Sequence, residues 1–289
     1  PVYGFRAHYG YSNIMYIAAG HLVEEVSGIS WDEFIKEYFL EPMNMDRTIS
    51  STKDLDQLEN ISAPHNDVND SLFTIEWLNW DNVAPAGGLI SSVNDMSQWL
   101  ISQLNKGITK DGDTLISADR FREMWAPHTI QNVSPWSERM WPSTHFKSYG
   151  LGWGMMDYHG RKVLGHGGGY DGFISNTTFV PEENLGFVIL TNKNTSLYYP
   201  LRFKILDIFL GAEKQRDWSQ EMLKLIQMSE AREKNANKEK QENRIKDTEP
   251  TLPIEKYLGT YTCDMYGEAE VYMDGEQIIV KLMPTEIFN

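Results

Sequence analysis

The sequence predicts an α+β fold in which helices come first and an antiparallel sheet flanked by helices follows, continued by a charged connector and a second, smaller β segment. Three observations carry this reading. Ahead of Tyr149 apolar residues recur at helical spacing between recognisable caps. From Tyr149 the texture changes to short β-prone runs divided by turn residues. Between Glu213 and Glu249 nine acidic and nine basic residues stand among few apolar ones, a cluster near Met222, Leu223, Leu225 and Ile226 excepted.

From Asn13, the residues Ile14, Ile17, Ala18, Leu22 and Val26 form a helical series that Ser27-Gly28 stops, so Tyr11 and Asn13 sit at a helix entrance. Ser30 and Glu33 form a capping box that opens a second helix, expected to stop before Pro42. Pro85-Ala86-Gly87-Gly88-Leu89 reads as a tight glycine turn, after which Ser92 and Asp95 cap a helix running to about Asn105. The β-prone runs are 149–154, 161–164, 173–180 and 186–191. After Pro250 the pattern is β again: 257–261, 269–273, an Asp274-Gly275 hairpin turn, and 277–282.

With 289 residues and 41% hydrophobic content, the chain can bury a full core. A formal net charge of −15 offers no basic face to a phosphate backbone or anionic lipid, which excludes nucleic acid as an expected partner. The single cysteine, Cys263, excludes an internal disulfide framework and a thiolate metal cage, and is read as structural. No apolar run reaches the length that spans a bilayer. The first residue is Pro1, not methionine, which reads as a cut end with room for a signal peptide ahead of it.

Three patterns then stand in a meaningful order. They are Tyr11-Ser12-Asn13 with the helical stretch to Met45, Pro85 to Ser92 with Asp95, and Gly165-His166-Gly167-Gly168-Gly169-Tyr170-Asp171-Gly172 followed by Pro181-Glu182 and Leu190-Thr191-Asn192. Together they resemble class C serine β-lactamases, the related penicillin-binding peptidases and their esterase and D-aminopeptidase relatives, over about residues 1–211. Tyr257-x-Gly-x-Tyr261 and its strands resemble a small β domain often appended to such hydrolases. The resemblance implies a β-lactamase/transpeptidase-like fold, incomplete at its start, in 1–211, a helical connector in 212–250, and the beginning of a small β domain in 251–289.

It also implies a chemistry. Acyl transfer through a covalent intermediate needs an activated hydroxyl, a proton acceptor and donors for the developing oxyanion. The family takes its hydroxyl from a Ser-x-x-Lys motif on the order of a hundred residues ahead of Tyr-x-Asn, which falls upstream of this chain. By that resemblance Tyr11 is the proton acceptor, Asn13 orients the absent lysine and the substrate carbonyl, and His166 stands in the third motif, where many members have His-x-Gly in place of the Lys-Thr-Gly of the β-lactamase pattern. A free phenol is mostly protonated at neutral pH, so Tyr11 needs cationic neighbours, the absent lysine or a protonated His166. Gly167, Gly168 and Gly169 let an edge strand approach the acyl group, with the Gly169 N–H as one oxyanion donor. Histidine holds its charge only partly near neutral pH, which moves the expected substrate from β-lactams toward esters, amides or D-amino-acid peptides.

The expected function is therefore a serine hydrolase acting on a small-molecule or peptide acyl substrate, without cofactor or metal, periplasmic or extracellular by resemblance. A non-catalytic penicillin- or peptidoglycan-binding module is the alternative, and an interaction protein built on 213–249 a third reading. Ser50-Ser51-Thr52-Lys53 matches Ser-x-x-Lys literally, but it follows Tyr-x-Asn and precedes a polar stretch, which rejects it. Gly167-x-Gly169-x-x-Gly172 matches a dinucleotide fingerprint, but a strand follows where a pyrophosphate needs a helix. The remaining histidines show no i, i+4 pairing around a carboxylate, so no zinc site is expected.

Overall fold

In the computed structural model, which describes residues 4, 7–68, 71–213, 216–264 and 267–282, the helical first part begins with α1, Asn13–Ser27. Pro1 and residues 283–289 of the expected C-terminal β segment lie outside the described residues. Gly28 closes α1 in the left-handed conformation at φ 78°, its N–H donating to the Glu24 carbonyl. The capping box at Ser30 is present: its hydroxyl accepts from the Glu33 N–H at 3.2 Å and its N–H donates to the Glu33 carboxylate at 3.0 Å. It opens α2, Trp31–Ile35, but the helical path does not stop before Pro42. It widens to a π turn over Lys36–Leu40 and tightens to a 3-10 turn over Glu41–Met43. Proline has no N–H for an α ladder but is tolerated in a first helical turn, where Pro42 falls.

The apolar series of α1 is not the face that packs. Ile14 is 74%, Leu22 62% and Val26 80% exposed, whereas Gly20 is buried. A Cβ on Gly20 would lie 2.2 Å from Pro85 Cγ, so α1 meets α3 (Ala84–Gly87) backbone to ring. That short helix replaces the glycine turn expected at 85–89. Gly88 is needed there for close approach, since a Cβ would stand 2.6 Å from Ala84 Cα. Helix α4, Val93–Leu104, is capped by Ser92. Its buried Asp95 carboxylate accepts from the Arg47 N–H at 2.9 Å and the Thr48 hydroxyl at 2.7 Å, tying the loop after Met43 to the helix.

Strands β1 (His65–Val68) and β2 (Ser71–Thr74) form a hairpin, and short helices α5 (Ala118–Met124) and α6 (Pro135–Met140) precede or interrupt the main sheet. That sheet is an antiparallel meander, β3 (Thr129–Gln131), β4 (Lys147–Tyr149), β5 (Gly154–Tyr158), β6 (Arg161–Tyr170), β7 (Phe173–Val180) and β8 (Leu185–Thr191), in sequence order. The run expected at 149–154 is a strand end, a bend and a strand start, because Gly152 takes φ 79°. The run at 161–164 extends through the glycines to Tyr170.

Successive strand residues face opposite sides, and both sides are packed. Leu164 and Phe179 join Leu100, Trp153 and Met155 in one cluster against α4. On the other side Trp141, Tyr158, Tyr199, Phe203 and Trp218 stack, carried partly by α7 (Tyr198–Phe209) and the start of α8 (Trp218–Glu242). Burying a large apolar chain stabilises by about 1.5–3 kcal/mol, so Val163, Leu164, Phe179 and Val180, all at 0% exposure, anchor the sheet centre. The buried Asp207 carboxylate accepts from the Tyr158 hydroxyl and from the Trp218 indole at 2.6 Å.

The chain divides into two compact units, 1–224 and 225–289, the boundary falling inside the exposed α8. The second unit carries an antiparallel sheet of β9 (Gly259–Cys263), β10 (Gly267–Asp274) and β11 (Gln277–Leu282). Asp274 pairs with Gln277, so the hairpin turn is Gly275-Glu276, one residue later than expected; Gly275 supplies the positive φ of 60°. Cys263 is exposed on β9. Among the described residues no helix is long and apolar enough to cross a membrane.

Two outcomes test this packing. Gly20→Val forces α1 off Pro85 and should destabilise the chain by about 1–3 kcal/mol in denaturant titration, the cost of overpacking. Burial pushes the Tyr158 and Tyr199 hydroxyls above the usual phenol range, Asp207 adding to the effect at Tyr158. Phenols of the unfolded chain lose protons near pH 10, before the folded ones do. The unfolded state then binds fewer protons, so stability is retained below about pH 10 and falls as pH rises beyond it. Thermal melts from pH 8 to 11 should show that fall, reduced in Tyr158→Phe.

Candidate active site

The glycine-rich half of β6 has one partner. Its pairing with β5 ends where Gly154 meets Gly165, whereas its pairing with β7 continues to the Tyr170–Phe173 pair that closes the two-residue Asp171-Gly172 turn. In such a hairpin the closing pair exchanges hydrogen bonds, and alternate residues direct their backbone groups the same way. Tyr170, Gly168 and His166 therefore turn toward β7, and Gly169 and Gly167 turn toward the open side. Residues 166–170 thus form an edge strand inside a six-stranded sheet, with the Gly169 N–H outside the ladder. A Cβ on Gly167 or Gly169 would meet atoms only at 3.6 Å or beyond, an ordinary contact, so packing by the described residues does not demand glycine there. Gly168 differs, because its Cβ would stand 2.5 Å from the Ser175 hydroxyl.

Tyr11, just ahead of α1, is brought to this edge. Its ring stacks with the His166 imidazole at 6.1 Å between centroids and 29° between planes. The Tyr11 hydroxyl forms no hydrogen bond among the described residues, and its contact with His166 is ring to ring. Asn13 is the first residue of α1 and exposed; its amide likewise makes no hydrogen bond among the described residues. Tyr11, His166 and Gly167 to Gly169 therefore converge, and Asn13 stands one residue beyond the helix cap, Ser12.

A residue not singled out in the sequence completes the cluster. Tyr149, at the end of β4, lies beside the point where β5 stops, and its hydroxyl is 2.9 Å from His166 Nε2. His166 Nδ1 is 2.6 Å from the Gly167 carbonyl oxygen. A carbonyl only accepts, so Nδ1 carries the proton, and in the neutral ring Nε2 accepts from Tyr149. Burial, then the phenols of Tyr16, Tyr9 and Tyr11, pushes the Tyr149 hydroxyl well above the usual phenol range, which keeps it a donor. Tyr9 packs on Tyr149 at 5.4 Å, and burial followed by Tyr11 raises Tyr9 and Tyr16 in the same sense. The signal in the sequence was the Tyr149-Gly150-Leu151-Gly152-Trp153-Gly154 run itself, an aromatic at a dense glycine bend.

The two literal motif matches go elsewhere. Ser51 caps a 3-10 turn at Thr52–Gln57, and Lys53 pairs with Asp81 at 2.8 Å. Residues 167–170 are strand and lead into the turn at Gly172.

Residues 1–204 match the family model described as Beta-lactamase, and residues 243–289 match one described as a domain of unknown function (DUF3471). The unguisins hydrolase of Aspergillus violaceofuscus is 28% identical over 291 residues, covering 93% of this chain and 50% of that protein. Protein flp of Staphylococcus aureus (strain N315) is 24% identical over 191 residues, covering 66% of this chain and 34% of that protein. Among solved structures, the octameric penicillin-binding protein homologue from Pyrococcus abyssi superimposes with a TM-score of 0.64 at 21% identity, covering 98% of this chain and 55% of that one. The chain spans about half the length of the unguisins hydrolases it matches.

The tautomer is open to direct measurement. Nitrogen-15 correlation spectra of neutral His166 should show Nδ1 protonated and Nε2 bare, and Tyr149→Phe should move the Nε2 resonance toward that of an imidazole nitrogen without a donor. An Nε2-protonated ring would contradict the arrangement.

Proposed function

Because the chain belongs to the beta-lactamase family, we propose that it supplies the downstream part of a serine hydrolase that cleaves an amide or ester through an acyl-enzyme. The Ser-x-x-Lys nucleophile of this reading lies outside the 289 residues. The observation that carries it is the stacking of Tyr11 on His166 at the stretch of β6 whose outer edge has no strand partner among the described residues. The names of the relatives called unguisins hydrolases support hydrolysis as the reaction.

In this mechanism the serine oxygen bonds to the substrate carbonyl carbon while Tyr11, having passed its own proton to the lysine of the Ser-x-x-Lys motif, takes the serine proton. The tetrahedral intermediate places its oxyanion against the Gly169 N–H and a second donor from the nucleophile's own segment. Collapse breaks the bond to the amine or alcohol, which leaves with the proton held by Tyr11. Water repeats the sequence in the second half, giving a proton to Tyr11 that returns to serine as the acid departs. Asn13 orients the substrate carbonyl. His166, fixed by Tyr149 and by Gly167, presents its ring face to Tyr11. The division we propose for the chain, a hydrolase portion at 1–211, a charged connector at 212–250 and an appended β segment at 251–289, is supported by the two family matches.

A protein extended at its amino end to include Ser-x-x-Lys should be labelled covalently by a fluorophosphonate, and Tyr11→Phe should slow labelling by about 10²–10⁴-fold, the usual worth of a general base. The 289-residue chain alone should show no turnover. Absence of any adduct in the extended protein would favour the non-catalytic binding module.

A further inference from the structure

At the far end of β5 and β6 from the Tyr11–His166 cluster the sheet carries a groove of about 430 Å³, whose lining includes Pro127, Phe146, Ser148, Met155, Met156 and Lys162. Small-molecule sites typically enclose about 300–1,000 Å³. Met155 and Leu164 pair across β5 and β6 inside the α4 cluster, and the next pair on that face is Asp157 and Lys162, with Lys162 exposed. Lys162 precedes His166 on β6 by on the order of 13 Å, and the lining includes none of Tyr11, Tyr149, His166 or Gly167 to Gly169.

Two strongly exposed apolar side chains belong to this surface. Ile130 on β3 is 83% and Phe146 77% exposed. Ile130 pairs with Ser148, and Ser148 with Met155, so the three share one face. The backbone of Phe146 is fixed to β5: its N–H donates to Asp157 Oδ1 at 2.7 Å, and its carbonyl accepts from the Asp157 N–H at 3.4 Å. The His145 N–H donates to the same carboxylate oxygen at 2.8 Å, and the Thr144 hydroxyl donates to the Asp157 carbonyl at 2.7 Å. An aromatic ring on a backbone held this way offers apolar area to a ligand at a small ordering cost.

Of the two cations in the lining, Lys162 is the one without an ion pair among the described residues. Arg161 pairs with Glu183. The Asp157 carboxylate is also engaged, Oδ1 by the two N–H groups and Oδ2 by His145 Nδ1 at 3.0 Å. The Lys162 amine donates to the Trp125 carbonyl at 3.1 Å and lies 5.8 Å from the centre of the Trp125 ring, which leaves two of its three N–H groups for another acceptor. Partial burial lowers the Lys162 ammonium from its ordinary value, against the attraction of Glu182, and a carboxylate beside it would oppose that shift.

We propose that this groove binds a small amphiphilic carboxylate, its apolar body against Met155, Met156 and the Phe146 ring and its carboxylate on Lys162. The combination selects both halves of the ligand. Acetate lacks the body that apolar burial would hold, and an alcohol of the same length lacks the charge that the ammonium would meet. The site stands apart from the acyl chemistry and does not depend on it.

The test is a titration of the 289-residue chain, labelled with carbon-13 at its methionine methyls, with octanoate, 1-octanol and acetate at constant ionic strength. Octanoate should shift the Met155 and Met156 methyl resonances saturably, and acetate should leave them in place. Octanol should bind about tenfold more weakly than octanoate, the equivalent of one hydrogen bond to a charged group. Lys162→Leu should bring octanoate to the affinity of octanol, and Phe146→Ser should weaken both ligands, with the methyl of Met43, in a separate cluster, unmoved in each variant. No saturable shift with octanoate, a matching response to acetate, equal affinity for octanoate and octanol, or an octanoate affinity unchanged in both variants overturns the proposal. Methyl shifts that follow protein concentration without ligand, as a second copy seated in the groove would give, overturn it as well.

Discussion

The register of β6 against its two neighbours governs the rest of this molecule. Shifting a strand by one residue exchanges its two faces, and here the faces have different duties. Leu164 and His166 share one side, the first in the core against α4 and the second at the aromatic cluster, while Val163 and Gly165 share the other, against α7. Two short turns hold that register, His159-Gly160 at one end and Asp171-Gly172 at the other. The same register ends the β5 pairing at Gly165, one residue before the histidine, and so creates an open backbone edge in the middle of a sheet without loosening the part that carries the core.

What was legible in the sequence was what local chemistry decides. Ser30 and Glu33 cap each other through neighbouring backbone groups, Ser92 reaches only to Asp95, and Gly28 ends a helix by its own φ; no distant contact intervenes. The ordered motifs carried Tyr11 and His166 to the same place because their spacing along the chain reports a shared fold. Tertiary contacts hid the rest. The apolar periodicity of α1 pointed to Ile14, Leu22 and Val26, but the residue that packs is Gly20, chosen for its small size against Pro85. Tyr149 was invisible because its role arises where one strand stops short and another's last side chain leans across, a property of two strand ends that no single segment displays.

Tyr149 also changes what His166 can contribute. Both nitrogens of His166 are engaged, Nδ1 with the Gly167 carbonyl and Nε2 with a phenol that burial keeps protonated. The imidazole is therefore held in place, with its ring face beside Tyr11.

The exposed stripe on α1 has a consequence for how copies of the chain meet in solution. Ile14, Met15, Leu22 and Val26 are each more than half exposed, on a protein of net charge −15. Like charge holds two molecules apart over the Debye length, about 30 Å at 0.01 M salt but only about 8 Å at 0.15 M. The attraction between apolar stripes acts at contact and is strengthened by kosmotropic salts. Ionic strength therefore decides which force is felt first. In dilute buffer the charge opposes contact between the stripes, and concentrated sulfate or phosphate shortens that repulsion and strengthens the apolar attraction at the same surface.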